Sequence, residues 1–168
     1  MTPETLTLAS VIVPAVAALL VPLTGRWPNL RETITMTASF ATAGIVILLV
    51  LAVLAGARPE IHLATLLPGL DIAFAVEPLG ALFAATAAIL RTANSLYSIG
   101  YLRANREPRQ TFFYFCFGIA ITATIGVALA GNLFTLFLFY ELLTLSTYPL
   151  VTHHGTGLSG SPASVNAM

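Results

Sequence analysis

Lysine is absent from this chain, and charge of either sign is scarce: seven arginines and seven acidic residues amount to 8% of 168 positions. Soluble domains carry about a quarter charged residues, so that class is excluded. The formal charge is zero and no basic patch occurs, which excludes nucleic acid as a partner. The single cysteine, Cys116, stands inside an apolar run, leaving neither a disulfide framework nor a cysteine-based metal or iron–sulfur centre. Phosphate-binding loops, nucleophilic triads and redox-centre ligand sets are missing, so no cofactor and no metal is expected in this chain. No Lys or Arg precedes the first apolar run. It therefore lacks the positive start of a signal peptide and is expected to be retained. No internal repeat is visible.

What the chain does have is hydrophobicity, 57% of its residues with a mean hydropathy of +0.90. An all-α integral membrane protein follows. Five stretches approach the roughly 20 residues that a 30 Å hydrocarbon core requires: Leu6–Thr24, Thr33–Gly56, Pro78–Leu102, Thr111–Ala130 and Leu133–Val151. Pro14 and Pro22 are expected to bend the first, and Pro78 suits the first turn of the third, where a missing N–H does no harm. Gly131-Asn132 reads as a tight turn with Asn132 capping the fifth helix. Between spans two and three, Ile61–Leu66 and Ile72–Val76 flank Pro68-Gly69 and read as a surface hairpin over 61–76, with an irregular loop as the alternative. Residues 1–154 form the membrane unit, and the small, polar stretch 155–168 reads as a disordered tail.

Arg26, Arg31, Arg103, Arg106 and Arg109 fall in two loops that share a side, whereas Arg58 stands alone on the other, beside Glu60, Asp71 and Glu77. The positive-inside rule puts the N-terminus outside and the C-terminus inside, in what is expected to be a prokaryotic cytoplasmic membrane. The aromatic run Phe112–Phe115 with Phe117 reads as an interfacial belt continuing into a lipid-facing or packed surface.

Glu141 is the only acidic residue between Thr111 and Val151. A carboxylate at bilayer depth is costly unless it faces a partner or water, and marks ion or proton pathways by default. Glu141, Thr144 and Tyr148 are spaced i, i+3, i+7, on one helical face, and Pro149 leaves the carbonyl of Leu145 without its usual donor. A buried carboxyl with a hydroxyl, a phenol and a loosened carbonyl can hold a short water file, as a proton relay needs. The same glutamate also fits an interhelix hydrogen bond that merely holds a bundle together. Arg91, near the middle of span three, either pairs with Glu141, tying the carboxylate up as a fixed anion, or tethers a polar helix interface with Asn94, Ser95 and Ser98. His153 and His154, just past the fifth span, cannot share a helical face for metal binding; their candidate role is proton exchange at the inner mouth.

Three segments also carry a resemblance: Val76–Phe83, Leu96–Tyr101 and Asn132–Leu150. In that order they resemble the antiporter-like subunit family, which includes the large membrane subunits of respiratory complex I, of membrane-bound hydrogenases and of Mrp-type cation/proton antiporters. The likeness is good from about residue 70 to 156 and weaker before it. It implies an outside N-terminus, a surface hairpin before the third span, and an essential glutamate on the fifth helix, matched by Glu141. It also implies a lysine on a seventh helix as that glutamate's partner, in a fold built on two inverted repeats. Glu77 stands where an aspartate is usual before Pro-Leu. The seventh-helix lysine has no counterpart here, so the chain is expected either to be truncated or to complete its site with other membrane subunits. Three functions follow as expectations: a proton-translocating subunit of a respiratory NADH-quinone oxidoreductase-like complex, a subunit of an Mrp-type cation/proton antiporter, or a structural fragment that translocates nothing. Any oxidoreductase activity would belong to the whole complex.

Overall fold

In the computed structural model the described residues are 2–67, 70–104 and 110–152. Five helices form: α1 (Pro3–Leu20), α2 (Pro28–Leu54), α3 (Pro78–Ala104), α4 (Gln110–Ala128) and α5 (Leu133–Thr152). A 3-10 turn, Pro22–Thr24, follows α1, and the strands β1 (Glu60–Leu67) and β2 (Leu70–Ala75) form an antiparallel hairpin between α2 and α3. The expected tail 155–168, the Pro68-Gly69 tip, Arg106, Arg109, His153 and His154 lie outside the described residues.

Local chemistry explains where the helices begin and end. Pro3, Pro28 and Pro78 open α1, α2 and α3, where their missing N–H groups need no partner. The Thr2 hydroxyl accepts from the N–H of Thr5 at 3.3 Å, and Asn132 Oδ1 accepts from Thr135 N–H at 2.7 Å, the cap expected for α5. α2 ends in a paired-bond terminus: Gly56 N–H donates to Val53 O and Ala57 N–H to Ala52 O, both at 3.0 Å. That closure needs a left-handed residue, and Gly56 has φ +99°. Pro14 is accommodated inside α1, whereas Pro22 starts the 3-10 turn beyond it.

Four helices, α1 to α4, pack as a ring in which α1 meets α2 and α4, and α3 meets the same two. α5 stands outside the ring, against α4 and β2. The hairpin closes one end: Gly131 N–H donates to Ala73 O (2.9 Å), Ala75 N–H to Leu129 O (3.1 Å), and Ala73 N–H to Thr135 Oγ1 (2.9 Å). The other end, where α2 and α4 start, carries Arg31 and is called the arginine end below.

α1 to α4 are each long and apolar enough to cross a membrane, and among the described residues α5, 20 residues long, adds an apolar stretch over Leu133–Tyr148. Outward faces carry large apolar side chains such as Phe40, Leu51, Leu54 and Leu90, while buried positions in the ring include many small or hydroxylated residues. That inversion suits a bilayer, where lipid is as apolar as leucine and helices hold together by close approach and hydrogen bonds.

Close approach is built at three glycines. A Cβ on Gly118 would stand 2.7 Å from the Cβ of Ala18, one on Gly80 would strike the Ala128 carbonyl, and one on Gly126 would enter the Phe139 ring. α5 is therefore keyed to α4 by Phe139 over Gly126. Replacing Gly126 with Val is expected to destabilise the chain by about 1–3 kcal/mol through overpacking. Gly44→Ala, at a position with open space around it, should leave thermal stability in detergent unchanged.

Candidate functional site

One face of α5 is committed to packing. Thr135 and Ser146 are buried with Phe139 and Leu142 partly so, and the Phe139 ring lies 5.6 Å from that of Phe74 in β2. Glu141, Thr144 and Tyr148 do share a face, as their spacing requires, but it is the opposite one, and all three are exposed with Phe137 and Tyr140. Within this chain Glu141 is therefore not buried, contrary to expectation, and among the described residues it makes no ion pair or hydrogen bond. The Thr144 hydroxyl donates to its own helix, at Tyr140 O, 3.0 Å. The period of the helix fixes which residues travel together; it does not say what lies across from them.

The buried polar groups lie in the ring instead. On α2 the inward stripe is Glu32, Thr35, Ser39, Thr42, Val46, Leu49 and Val53; on α3 it is Ala81, Ala84, Ala88, Arg91, Ser95 and Ser98. Both alternate three and four residues, the pattern of two helices meeting along a continuous seam. Because the helices are antiparallel, the seam divides into an apolar half toward the hairpin and a polar half toward the arginine end. The Ser39 and Ser95 hydroxyls are 3.0 Å apart across it, and the Thr92 hydroxyl lies 3.4 Å from Ser39 O.

Arg91 is 2% exposed at the boundary between these halves, and its Nε and Nη1 have no hydrogen-bond partner among the described residues. The alternative in which it pairs with Glu141 does not form. α4 packs between α3, which carries Arg91, and α5, which carries Glu141. Taking the Gly80–Ala128 and Gly126–Phe139 contacts as depth marks, Arg91 also lies roughly 10 Å farther from the hairpin end at 1.5 Å per residue. Ser95 and Ser98 share its stripe, while Asn94 is only half-buried beside it.

A second buried cluster went unread in the sequence. Arg31 and Glu32 are 4% and 6% exposed at the start of α2. Arg31 Nη2 donates to Gln110 Oε1 at 2.7 Å and Nη1 to Thr111 Oγ1 at 3.0 Å, its guanidinium lies 5.2 Å over the Tyr114 ring, and Glu32 is 3.8 Å away. Thus one member of the aromatic run, Tyr114, faces inward over a cation, while Phe112 faces outward. Hydropathy starts span two at Thr33 and leaves both charges in a loop. The signal that would have found Glu32 is its 3-4-3 spacing with Thr35, Ser39 and Thr42 on an otherwise apolar helix.

No family model matches the chain. Two bacterial proteins share sequence with it. A Na(+)/H(+) antiporter subunit of Bacillus subtilis is 31% identical over 85 residues, 51% of this chain and 17% of that protein. A Na(+)/H(+) antiporter subunit of Staphylococcus aureus is 32% identical over 84 residues, 50% of this chain and 10% of that protein. This chain thus spans less than a fifth of either relative's length. Among solved structures, a chain of the membrane-bound sulfane sulfur reductase (MBS), an archaeal respiratory membrane complex, shares the fold with a TM-score of 0.73. That likeness covers 89% of this chain and 23% of the other at 21% identity. The resemblance to antiporter-like subunits read from the motifs is borne out by these matches.

Arg31 ties the start of α2 to the start of α4 through two charge-assisted bonds. Substituting Gln is expected to cost on the order of 2–4 kcal/mol, because it removes two charge-assisted hydrogen bonds made by a buried guanidinium. A thermal melt of the detergent-solubilised protein measures it, and a Thr37→Ala control at the exposed surface of the same end should shift the midpoint far less.

Proposed function

We propose that this chain is a membrane subunit of a multi-subunit complex that moves cations and protons across a bilayer, with Glu141 as a proton carrier. The observation that carries this reading is the position of Glu141. It stands about 12 Å along α5, on a face that the described residues leave bare. A carboxylate cannot stand against hydrocarbon at that depth without a large cost, so protein beyond the described residues must cover it. Once covered, the carboxyl sits in a low-dielectric site with Thr144 and Tyr148 on the same stripe, able to order water beside it. The loosened Leu145 carbonyl, four residues before Pro149, adds an acceptor there.

Of the possible drives, cation/proton exchange is favoured by the two sequence relatives, both named as Na(+)/H(+) antiporter subunits. The alternative is a redox-driven pump, an NADH-quinone oxidoreductase-like complex; this chain would contribute no cofactor to it. The companions that copurify with the chain separate the two, since only the redox complex brings flavin, iron–sulfur or nickel subunits. The arginine distribution supports a cytoplasmic membrane with the hairpin end outside and the arginine end inside. His153 and His154, which follow α5 in sequence, would then exchange protons at the inner mouth.

Replacing Glu141 with Gln in the assembled complex is expected to slow proton translocation by roughly a hundredfold, the scale of losing a positioned acid–base group. Glu141→Asp should retain part of the rate. Assembly, followed by native gel mobility, should be unaffected by either. A Gln variant that translocates at the wild-type rate would remove Glu141 from the mechanism.

A further inference from the structure

The polar half of the α2–α3 seam plays no part in the carrier role of Glu141, and it contains a full positive charge with two donor nitrogens unsatisfied among the described residues. Arg91 is 2% exposed, and its Nε and Nη1 find no acceptor among the described residues. Buried guanidinium N–H groups are costly to leave unmade and are either paired or solvated. No carboxylate is paired with Arg91 among the described residues. Glu32, the one acid on the same seam, lies about ten residues of helix away, roughly 15 Å.

The hydroxyls around Arg91 decide what fits. Thr35 donates to Arg31 O, Ser39 to Thr35 O, Thr42 to Ala38 O and Thr92 to Ala88 O, at 2.7–3.1 Å. Their protons are already committed to their own helices, so these hydroxyls keep acceptor lone pairs and little donor capacity. An inorganic anion would satisfy Arg91 but find few hydroxyl donors. A metal cation would find acceptors but meet the guanidinium charge. Water satisfies both sides at once, accepting from Arg91 and donating to serine and threonine oxygens. The far side of Arg91 offers water nothing, since Ala88, Ala84, Val46 and Leu49 line it. At the near end a groove of about 420 Å³, lined by Asn29, Glu32, Thr33, Met36, Thr37 and Ile99, opens beside Glu32.

We propose that this seam is a blind, water-filled access path running from the arginine end to Arg91, inside the four-helix ring and separate from Glu141. It solvates a fixed positive charge near the middle of the bundle and turns away metal cations. It does not rest on the carrier role of Glu141, and it fails or stands independently of it.

Cysteine accessibility in native membranes holding the whole complex tests it, in a C116A background that removes the only native thiol. Only a water-exposed thiolate reacts with charged methanethiosulfonates, so S98C and S95C should be modified roughly tenfold or more faster than A84C. The fixed charge should also make the anionic reagent outpace the cationic one at S95C, and R91Q should flatten that preference. If S95C reacts as slowly as A84C, the seam is dry and the proposal is wrong. If A84C reacts as fast as S95C, the path is not blind and the proposal is equally wrong. A charge preference at S95C that R91Q leaves intact would show that Arg91 is not its source.

Discussion

Everything in this chain is arranged around one constraint: at bilayer depth a polar group has no water to fall back on, so its partners must come from protein. The hydroxyl-rich faces of α1 to α4 meet that demand locally, each buried Ser or Thr proton commonly bonded to a carbonyl one turn back in the same helix. What lies outside is leucine and phenylalanine. Toward the arginine end the ring is therefore polar within and apolar without, the reverse of a soluble bundle, while its hairpin end keeps an apolar core, and close helix contacts are made at glycine and alanine.

Against that background two charged side chains at depth do not conform, and they fail in opposite ways. Arg91 is enclosed but under-bonded; Glu141 is exposed but sits where exposure means contact with hydrocarbon. They lie on different sides of α4 and at different depths, so neither answers the other. Arg31, by contrast, is buried with both of its terminal nitrogens bonded, to Gln110 and Thr111, and with the Tyr114 ring and Glu32 beside it; only its Nε is left without a partner among the described residues. The hairpin has a related part in the architecture. By bonding to both sides of the α4–α5 turn it fixes α5 against α4 at one end, and Phe139 over Gly126 fixes it lower down. The face that carries Glu141 is thereby held outward.

The elements that were legible in the sequence are those governed by local chemistry. Apolar runs bounded by proline and glycine gave the helices, β-prone runs around Pro68-Gly69 gave the hairpin, and Asn132 announced its cap three residues before Thr135. The common face of Glu141, Thr144 and Tyr148 followed from helical period alone. What period cannot tell is which face of a helix its neighbours cover, and that is why the sequence alone reads Glu141 as buried and leaves a pairing with Arg91 open. The seam was hidden for another reason. A hydropathy window discounts the charges at a helix start, so Arg31 and Glu32 read as loop, and the polar stripe that begins with Glu32 lost its first member.

The central claim is that protein, not lipid, covers the Glu141 face of α5. A photo-crosslinking residue placed at Leu145, beside Glu141, and another at Leu51, on an outward face of α2, would be activated in native membranes. The account requires protein adducts from Leu145 and lipid adducts from Leu51. Lipid adducts from both positions would mean that Glu141 stands uncovered in the bilayer, and the carrier account would not survive.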